Sequence, residues 1–161
     1  MRTLSALALF ALASAACGYT FGSGLDRIGV RTVALDVVGN ETYRQRLEAE
    51  LSRALSRELP VSTDLRLADR RDADAVVRVV VTDARERTLV TGGRSDPVRE
   101  GALESAVTMK LVRRDGSLLL ERTLLDRTEF RTPIGEDLTS ARGELVDDLA
   151  RKIALALESD F

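Results

Sequence analysis

The chain has 161 residues, 44% hydrophobic and 31% charged, a composition typical of one globular domain. Its formal net charge of -2 argues against a nucleic-acid partner, because such partners bind strongly basic surfaces. With no His and a single Cys, the sequence excludes Ser-His and Cys-His catalytic pairs, zinc sites built from His and Cys, and an internal disulfide. Chemistry that uses carboxylates alone is not excluded, but the acidic residues mostly lie at helix or turn positions. We therefore expect a protein that is not an enzyme and that uses no cofactor or metal.

Residues 1–16 have the pattern of an export signal. Arg2 supplies the initial positive charge, and Leu4 to Ala13 form an apolar run of about ten residues, which is too short to span a bilayer. The segment therefore predicts that the chain is secreted.

Cys17 follows this signal in the arrangement of a bacterial lipobox, in which the thiol is acylated and the Cys becomes the new N-terminus. Ser14 stands where a lipobox usually has Leu, so ordinary cleavage after Ala13-Ser14-Ala15 is the alternative. We predict lipidation of Cys17 and a Gly-rich tether over residues 17–28, which leads into one domain of residues 29–161.

The first predicted strand covers Gly29 to Val38, and it ends at the turn residues Gly39-Asn40. Its apolar residues Val33, Leu35 and Val37 alternate, which places them on one buried face.

A helix is predicted next, from Thr42 to Leu59. Thr42 and Gln45 have the spacing of a capping box, and Pro60 is expected to stop the helix. The helix carries an apolar stripe in which every fourth residue is large, formed by Tyr43, Leu47, Leu51, Leu55 and Leu59.

Strand signals then follow one another to residue 130. Leu65 to Leu67 form a short candidate strand, and the Val-rich run from Val76 to Thr82 predicts a covered strand that extends, more polar, toward Val90. Gly and Pro residues predict a loop over 91–101.

The second half of the chain predicts a hairpin and a helix. Val107, Met109 and Leu111 alternate inward along one strand, Asp115-Gly116 forms a tight turn, and Leu118 to Phe130 return as its partner. A last helix is predicted over residues 137–158, with one apolar side formed by Leu138, Ala141, Leu145, Leu149, Ile153 and Leu157.

The resulting element order is β-α-(β)-β-β-β-α. Two amphipathic helices need an apolar surface, and a sheet with one solvated face offers it on the other face. We therefore predict the α+β class, as a two-layer sandwich with two helices packed on one face of a mostly antiparallel four-stranded sheet.

This order and two short motifs resemble the lipopolysaccharide-assembly lipoprotein family (LptE-like). The motifs are the start Cys17-Gly18-Tyr19 and the V-x-N-x-T stretch from Val38 to Thr42. The resemblance implies a non-enzymatic lipoprotein, carrying diacylglyceryl and palmitate on its Cys, at the periplasmic side of the outer membrane. It also implies that the protein plugs and helps to assemble a β-barrel translocon (LptD-like) and binds lipopolysaccharide on its way to the cell surface.

By the same resemblance, the segment from Arg85 to Arg99 points into the barrel and meets the glycolipid. Its Arg side chains suit lipid A phosphates, because a planar guanidinium forms paired charge-assisted hydrogen bonds. Interspersed acidic residues oppose this, and a solvated loop or polar strand face is the alternative. The candidate glycolipid-binding residues are Arg85, Arg87, Arg94, Arg99 and, on a strand face away from the core, Lys110.

A different class of function fits the same features. A structural lipoprotein that docks another envelope assembly, such as a secretion pilot, would share the signal, the anchor and the two-layer domain, but it would not contact glycolipid. Lipid A binding distinguishes the two hypotheses.

Overall fold

The computed structural model describes residues 24–90, 99–132 and 137–159. The predicted signal segment and Cys17 lie outside these ranges. None of the described helices is long and apolar enough to cross a membrane. The elements are α1 (Gly24–Arg27), β1 (Thr32–Leu35), β2 (Gly39–Asn40), α2 (Leu47–Ser62), β3 (Arg66–Leu67), β4 (Ala75–Val90), β5 (Arg99–Arg113), β6 (Leu118–Thr132) and α3 (Leu138–Ser159).

The strands form one mixed, six-stranded sheet in the order β3-β1-β4-β5-β6, with β2 also paired to β4. β4, β5 and β6 are antiparallel, whereas β1 pairs in parallel with β3 and β4. The predicted α+β class is confirmed. The predicted number of four strands and two helices is too low. The first predicted strand is divided into β1 and β2, the short candidate strand forms β3, and the short helix α1 precedes them.

The first predicted strand is interrupted because it contains one residue too many for its partner. Leu35 pairs with Val77 and Gly39 pairs with Val80, so four steps along this segment match three steps along β4. The extra residue reverses the alternation. Val37, predicted to face the core, is 88% exposed, and the following Val38 is buried.

The predicted capping box at the first helix is wrong. Asn40 holds the preceding loop instead, because its side-chain oxygen accepts from the N–H and the hydroxyl of Thr42 (2.9 and 2.7 Å) and its amide donates to Glu48 (2.7 Å). α2 therefore begins at Leu47, and Tyr43 lies before it with a fully exposed side chain rather than in the apolar stripe.

Pro60 does not stop this helix, contrary to the prediction. It lies in the last turn of α2, where it is exposed, and the helix continues to Ser62. Pro60 has no N–H to donate to the carbonyl four residues before it, so α2 lacks one hydrogen bond there, and the helix ends two residues later. Thr63 then closes the helix by donating its N–H and its hydroxyl to the Leu59 carbonyl (3.1 and 2.6 Å).

α2 and α3 lie side by side and parallel on one face of the sheet, which we call the helix face. Arg57 approaches Asp147, and further along both helices Asp64 donates its N–H to Glu158. The core between helices and sheet is built as predicted from alternating apolar residues. It includes the buried residues Leu51, Leu55, Leu59, Val77, Val79, Val81, Val107, Met109, Leu111, Leu145, Leu149, Ile153 and Leu157.

β6 forms one edge of the sheet, and side chains cover part of that edge. Lys152 on α3 donates to the Leu125 carbonyl (3.0 Å) and to Asp126 (2.9 Å). The same carboxylate of Asp126 accepts from the backbone N–H of Arg127 (2.8 Å). Two backbone groups in the middle of the edge strand are therefore bonded to side chains of this chain.

Candidate functional site

An irregularity in β4 decides which residues face away from the helices. Val81 pairs with Val107 and Asp83 pairs with Ala106, so Thr82 is an extra residue. Such a bulge reverses the alternation that follows it. As a result, the side chains of Asp83, Arg85 and Arg87 lie on the sheet face opposite the helices, which we call the outer face.

Arg85 is paired with the carboxylate two residues before it on the same strand. Its Nε donates to Asp83 Oδ2 (2.8 Å), and its Nη2 contacts the same oxygen. The hydrogen bond and the charge of Asp83 raise the pKa of Arg85 above its ordinary value. Arg85 is thus a permanent, exposed cation with one carboxylate already bound to it.

Arg87 belongs to a network that spans three strands. Its Nε lies 3.1 Å from Glu104 Oε2 on β5, and Arg127 of β6 approaches the other oxygen of Glu104 at 3.9 Å. Arg127 also binds Glu129 (2.7 Å). Glu104 is only 25% exposed and lies between the two guanidinium groups, so it is the central acceptor of the outer face.

Lys110 lies on the same face. The sequence predicted this, because Lys110 alternates with the core residues Met109 and Leu111. It is exposed and forms an ion pair with Glu121 across the β5–β6 ladder (2.8 Å). Arg85, Arg87 and Lys110 therefore share the outer face, but each already binds a carboxylate of this chain.

Arg94 and Arg99 are the two remaining predicted site residues. Arg94 lies outside the described residues. Arg99 is the first residue of β5, where it pairs with Thr132, and only its backbone is described. The two strands that flank the segment 91–98, β4 and β5, carry the outer-face residues described above.

A shallow depression of about 460 Å³ lies next to the bulge. Its wall carries both charge signs, from Arg85, Glu104 and Arg127, and it includes the apolar side chain of Leu125, which is 71% exposed. An amphipathic ligand with a phosphate group could bind here only by exchanging carboxylates for phosphate at the guanidinium groups. The sequence analysis did not identify Arg127 and Leu125 as site residues. The alternation along Leu118–Phe130, which places both on one face of the strand, was the signal that could have found them.

Among the described residues, no group of three or more acidic or sulfur-bearing side chains is placed to hold a metal ion.

The sequence matches a family model described as LptE, lipopolysaccharide-assembly, over residues 30–157. No curated protein matches the chain.

Solved structures share the fold at low sequence identity. A minor lipoprotein from Acinetobacter baumannii is 17% identical with a TM-score of 0.56, covering 82% of this chain and 95% of that one. A hypothetical protein from Chlamydia trachomatis is 16% identical with a TM-score of 0.59, covering 80% and 96%. A PelC dodecamer from Paraburkholderia phytofirmans is 17% identical with a TM-score of 0.56, covering 81% and 90%.

Proposed function

This chain belongs to the LptE lipopolysaccharide-assembly family, and on that premise we propose that it plugs and helps to assemble the β-barrel translocon that exports lipopolysaccharide. The family match over residues 30–157 is the observation that carries the proposal. An envelope lipoprotein of this family contributes binding surfaces rather than a reaction. We propose that it acts by holding the barrel in an assembled state and by contacting glycolipid as it passes.

The proposal includes an anchor at Cys17, acylated with diacylglycerol and palmitate, on the periplasmic side of the outer membrane. The apolar run that precedes Cys17 supports it, because that run is too short to span a bilayer and has the length of a secretion signal. Several acyl chains on one residue anchor a protein stably, whereas one chain does so only weakly. Mass spectrometry of the wild-type protein and of Cys17→Ser tests the anchor, since only the wild type should carry the lipid mass.

We propose that Arg85, Arg87, Arg94, Arg99 and Lys110 contact lipopolysaccharide phosphates. The outer-face geometry supports an exchange mechanism, in which phosphate replaces the carboxylate partners at exposed guanidinium groups. Exposed ion pairs contribute on the order of 1 kcal/mol or less, so a phosphate with two negative charges can compete with them.

The experiment that tests the proposal is affinity purification of the tagged protein from membrane extracts, with mass spectrometry of the proteins that accompany it. We expect a large β-barrel in near-equal amount. The control is Tyr43→Ala, which changes one fully exposed side chain outside the outer face and should still purify with the barrel. Purification without a barrel would contradict the plug function and leave only the lipoprotein character.

A second function is favoured by one of the structural relatives. The PelC protein with this fold forms a dodecamer, which shows that the fold can assemble with copies of itself. A ring-forming or docking lipoprotein without glycolipid contact would use the outer face for protein contacts instead. Purified protein that elutes as a large oligomer and does not bind lipid A would favour this function over the first.

A further inference from the structure

A second cluster of arginines lies at the opposite end of the sheet from the segment 91–98. This is also the end at which the described chain begins. Arg113, near the β5–β6 turn, donates through Nη2 to the carbonyl of Ile28 (2.8 Å), just after α1. The residue that follows α1 is therefore held beside this turn.

Four arginines line a small cavity of about 150 Å³ on the outer face at this end: Arg70, Arg78, Arg113 and Arg114. Its apolar wall is formed by Ala73, Val76 and Val112. Since a water molecule takes about 30 Å³, the cavity has room for a small ionic group with a few waters, but not for a whole lipid headgroup.

The cavity has more cations than anions among its immediate contacts. Within residues 24–90, 99–132 and 137–159, Asp36 is the one carboxylate that forms ion pairs with the arginines of the cavity. It lies 2.7 Å from Arg70 and 3.2 Å from Arg78. Arg114 donates instead to the carbonyls of Ala73 (3.1 Å) and Arg71 (2.7 Å). Among the described residues, Arg114 thus forms hydrogen bonds to carbonyls and no ion pair with a carboxylate, although Asp74 lies close enough to feel its charge.

Two of the acidic side chains near this end accept hydrogen bonds in turns of the backbone. Asp74 accepts from the N–H groups of Arg31 and Thr32 (3.0 and 2.9 Å), and Asp115 accepts from the N–H and the hydroxyl of Ser117 (2.8 and 2.6 Å). An external anion at the cavity therefore meets guanidinium groups whose hydrogen-bond partners are backbone carbonyls and the carboxylate of Asp36.

We propose that this cavity binds a phosphate group, and that its source is an anionic phospholipid of the membrane that holds the protein. Guanidinium groups arranged around a small cavity suit a phosphate, because each can donate two parallel hydrogen bonds to it. The cavity lies at the other end of the outer face from Arg85 and Arg87, although its Arg78 is the cross-strand neighbour of Lys110, and its proposed ligand is the membrane rather than the cargo.

The membrane source rests on the proposed anchor at Cys17. Seven chain steps separate Cys17 from Gly24, and a fully extended chain covers at most about 3.6 Å per step, or roughly 25 Å. This end of the sheet is thus kept within one short tether of the lipid headgroups. Arginines near an anionic membrane surface then strengthen the attachment that acyl chains begin.

The test uses the full chain carrying Cys17→Ser, which removes the acylation site from every protein compared. In this background, Arg70→Gln/Arg78→Gln is compared with the matched control Arg57→Gln/Arg151→Gln, which removes two exposed, carboxylate-paired arginines from the helices. Inorganic phosphate binding is followed by NMR of the Arg side chains. Vesicle binding is followed by flotation with phosphatidylcholine alone and with added phosphatidylglycerol.

We expect the cavity variant to lose at least about fivefold in binding to both phosphate and phosphatidylglycerol vesicles, with the control unchanged. Asp36→Asn should strengthen binding to phosphate and to the vesicles, because it removes the competing carboxylate. This variant tests the proposal if the double variant does not fold. Equal losses in the control, or no phosphate binding, would overturn the proposal. Phosphate binding without vesicle binding would overturn the membrane source. Barrel copurification is read separately, so its failure affects only the proposed function.

Discussion

The ring of Phe130 on β6 lies directly over the backbone of Gly101, its cross-strand partner on β5. A Cβ on Gly101 would come within 2.5 Å of the ring atom Cζ, and Phe130 is itself buried. We therefore expect Gly101→Ala to force the ring out of place and to lower the free energy of unfolding by about 1–3 kcal/mol. Urea unfolding measures this change.

Replacing Gly143 in α3 is expected to have the opposite effect on stability, and it serves as a control for Gly101→Ala. Nothing lies within 4 Å of a Cβ built on Gly143, and it sits inside a regular helix. Gly143→Ala should raise the free energy of unfolding by roughly 0.5–1 kcal/mol, because Ala loses less backbone entropy in a helix. A loss of stability from this variant, measured in the same urea experiment, would show that the environment of α3 differs from the structure.

The loop before α2 depends on the side-chain amide of Asn40. Asn40→Asp keeps the acceptor for Thr42, but it replaces the donor to the Arg44 carbonyl and to Glu48 (both 2.7 Å) with a negative charge. We expect the free energy of unfolding to fall by about 1–3 kcal/mol in urea or thermal unfolding, since partly buried acceptors then face one another. Glu41→Gln, at the neighbouring exposed position, should change stability by less than about 0.5 kcal/mol.

Asp74 should make stability depend on pH. Hydrogen bonds from the Arg31 N–H and from Thr32, together with the charge of Arg114, lower the pKa of Asp74 below its ordinary value of 3.8. A carboxyl whose pKa is lower in the folded state stabilises the fold fully above the unfolded pKa, and this contribution is lost as pH falls through the folded pKa. The wild type should exceed Asp74→Asn in stability at pH 7, and the difference should shrink below about pH 4.

Urea unfolding of both proteins across this pH range provides the measurement. A difference that stays constant down to pH 2 would mean that the carboxylate charge of Asp74 contributes nothing to stability. Asp147→Asn, on an exposed helix position with a long ion pair of 3.5 Å, serves as the control for losing one carboxylate.

Glu104 should regulate phosphate binding at the outer face. Because it lies between Arg87 and Arg127, Glu104→Gln should release both guanidinium groups and strengthen lipid A binding several-fold, whereas Arg87→Gln should weaken it. Binding of fluorescent lipid A to purified protein measures both changes. Glu144→Gln on the helix side has the same change of charge, and an equal gain there would indicate a general charge effect instead.

A continuous Val run and the alternation of apolar residues were sufficient to predict the long strands. Met109 was expected to face the core, and the structure pairs it with Val79 of the predicted Val-rich strand, with both side chains buried. Long strands offer many alternating positions, so their buried face is specified repeatedly. The apolar stripes of α2 and α3 were predictable for the same reason, once Tyr43 is excluded.

The prediction failed where single residues override a pattern. One inserted residue before Gly39 turns Val37 outward, and the amide of Asn40 competes with the capping box expected from Thr42. The candidate site follows the same rule. Arg85 and Arg87 were predicted from a resemblance, but the meeting of Arg87 with Glu104 depends on the β4–β5 register, which the bulge at Thr82 sets. The meeting of Arg127 with Glu104 depends on the β5–β6 register, and no local pattern in the sequence reports either register.

The contacts of Lys152 at the edge of β6 have a consequence for crowding. A long edge strand invites pairing with the same strand of a neighbouring copy, and crowding brings copies together more often. Lys152 occupies the Leu125 carbonyl and Asp126 occupies the Arg127 N–H, so an incoming strand would have to break both contacts. Edge-to-edge pairing of two copies is therefore disfavoured at this point of β6.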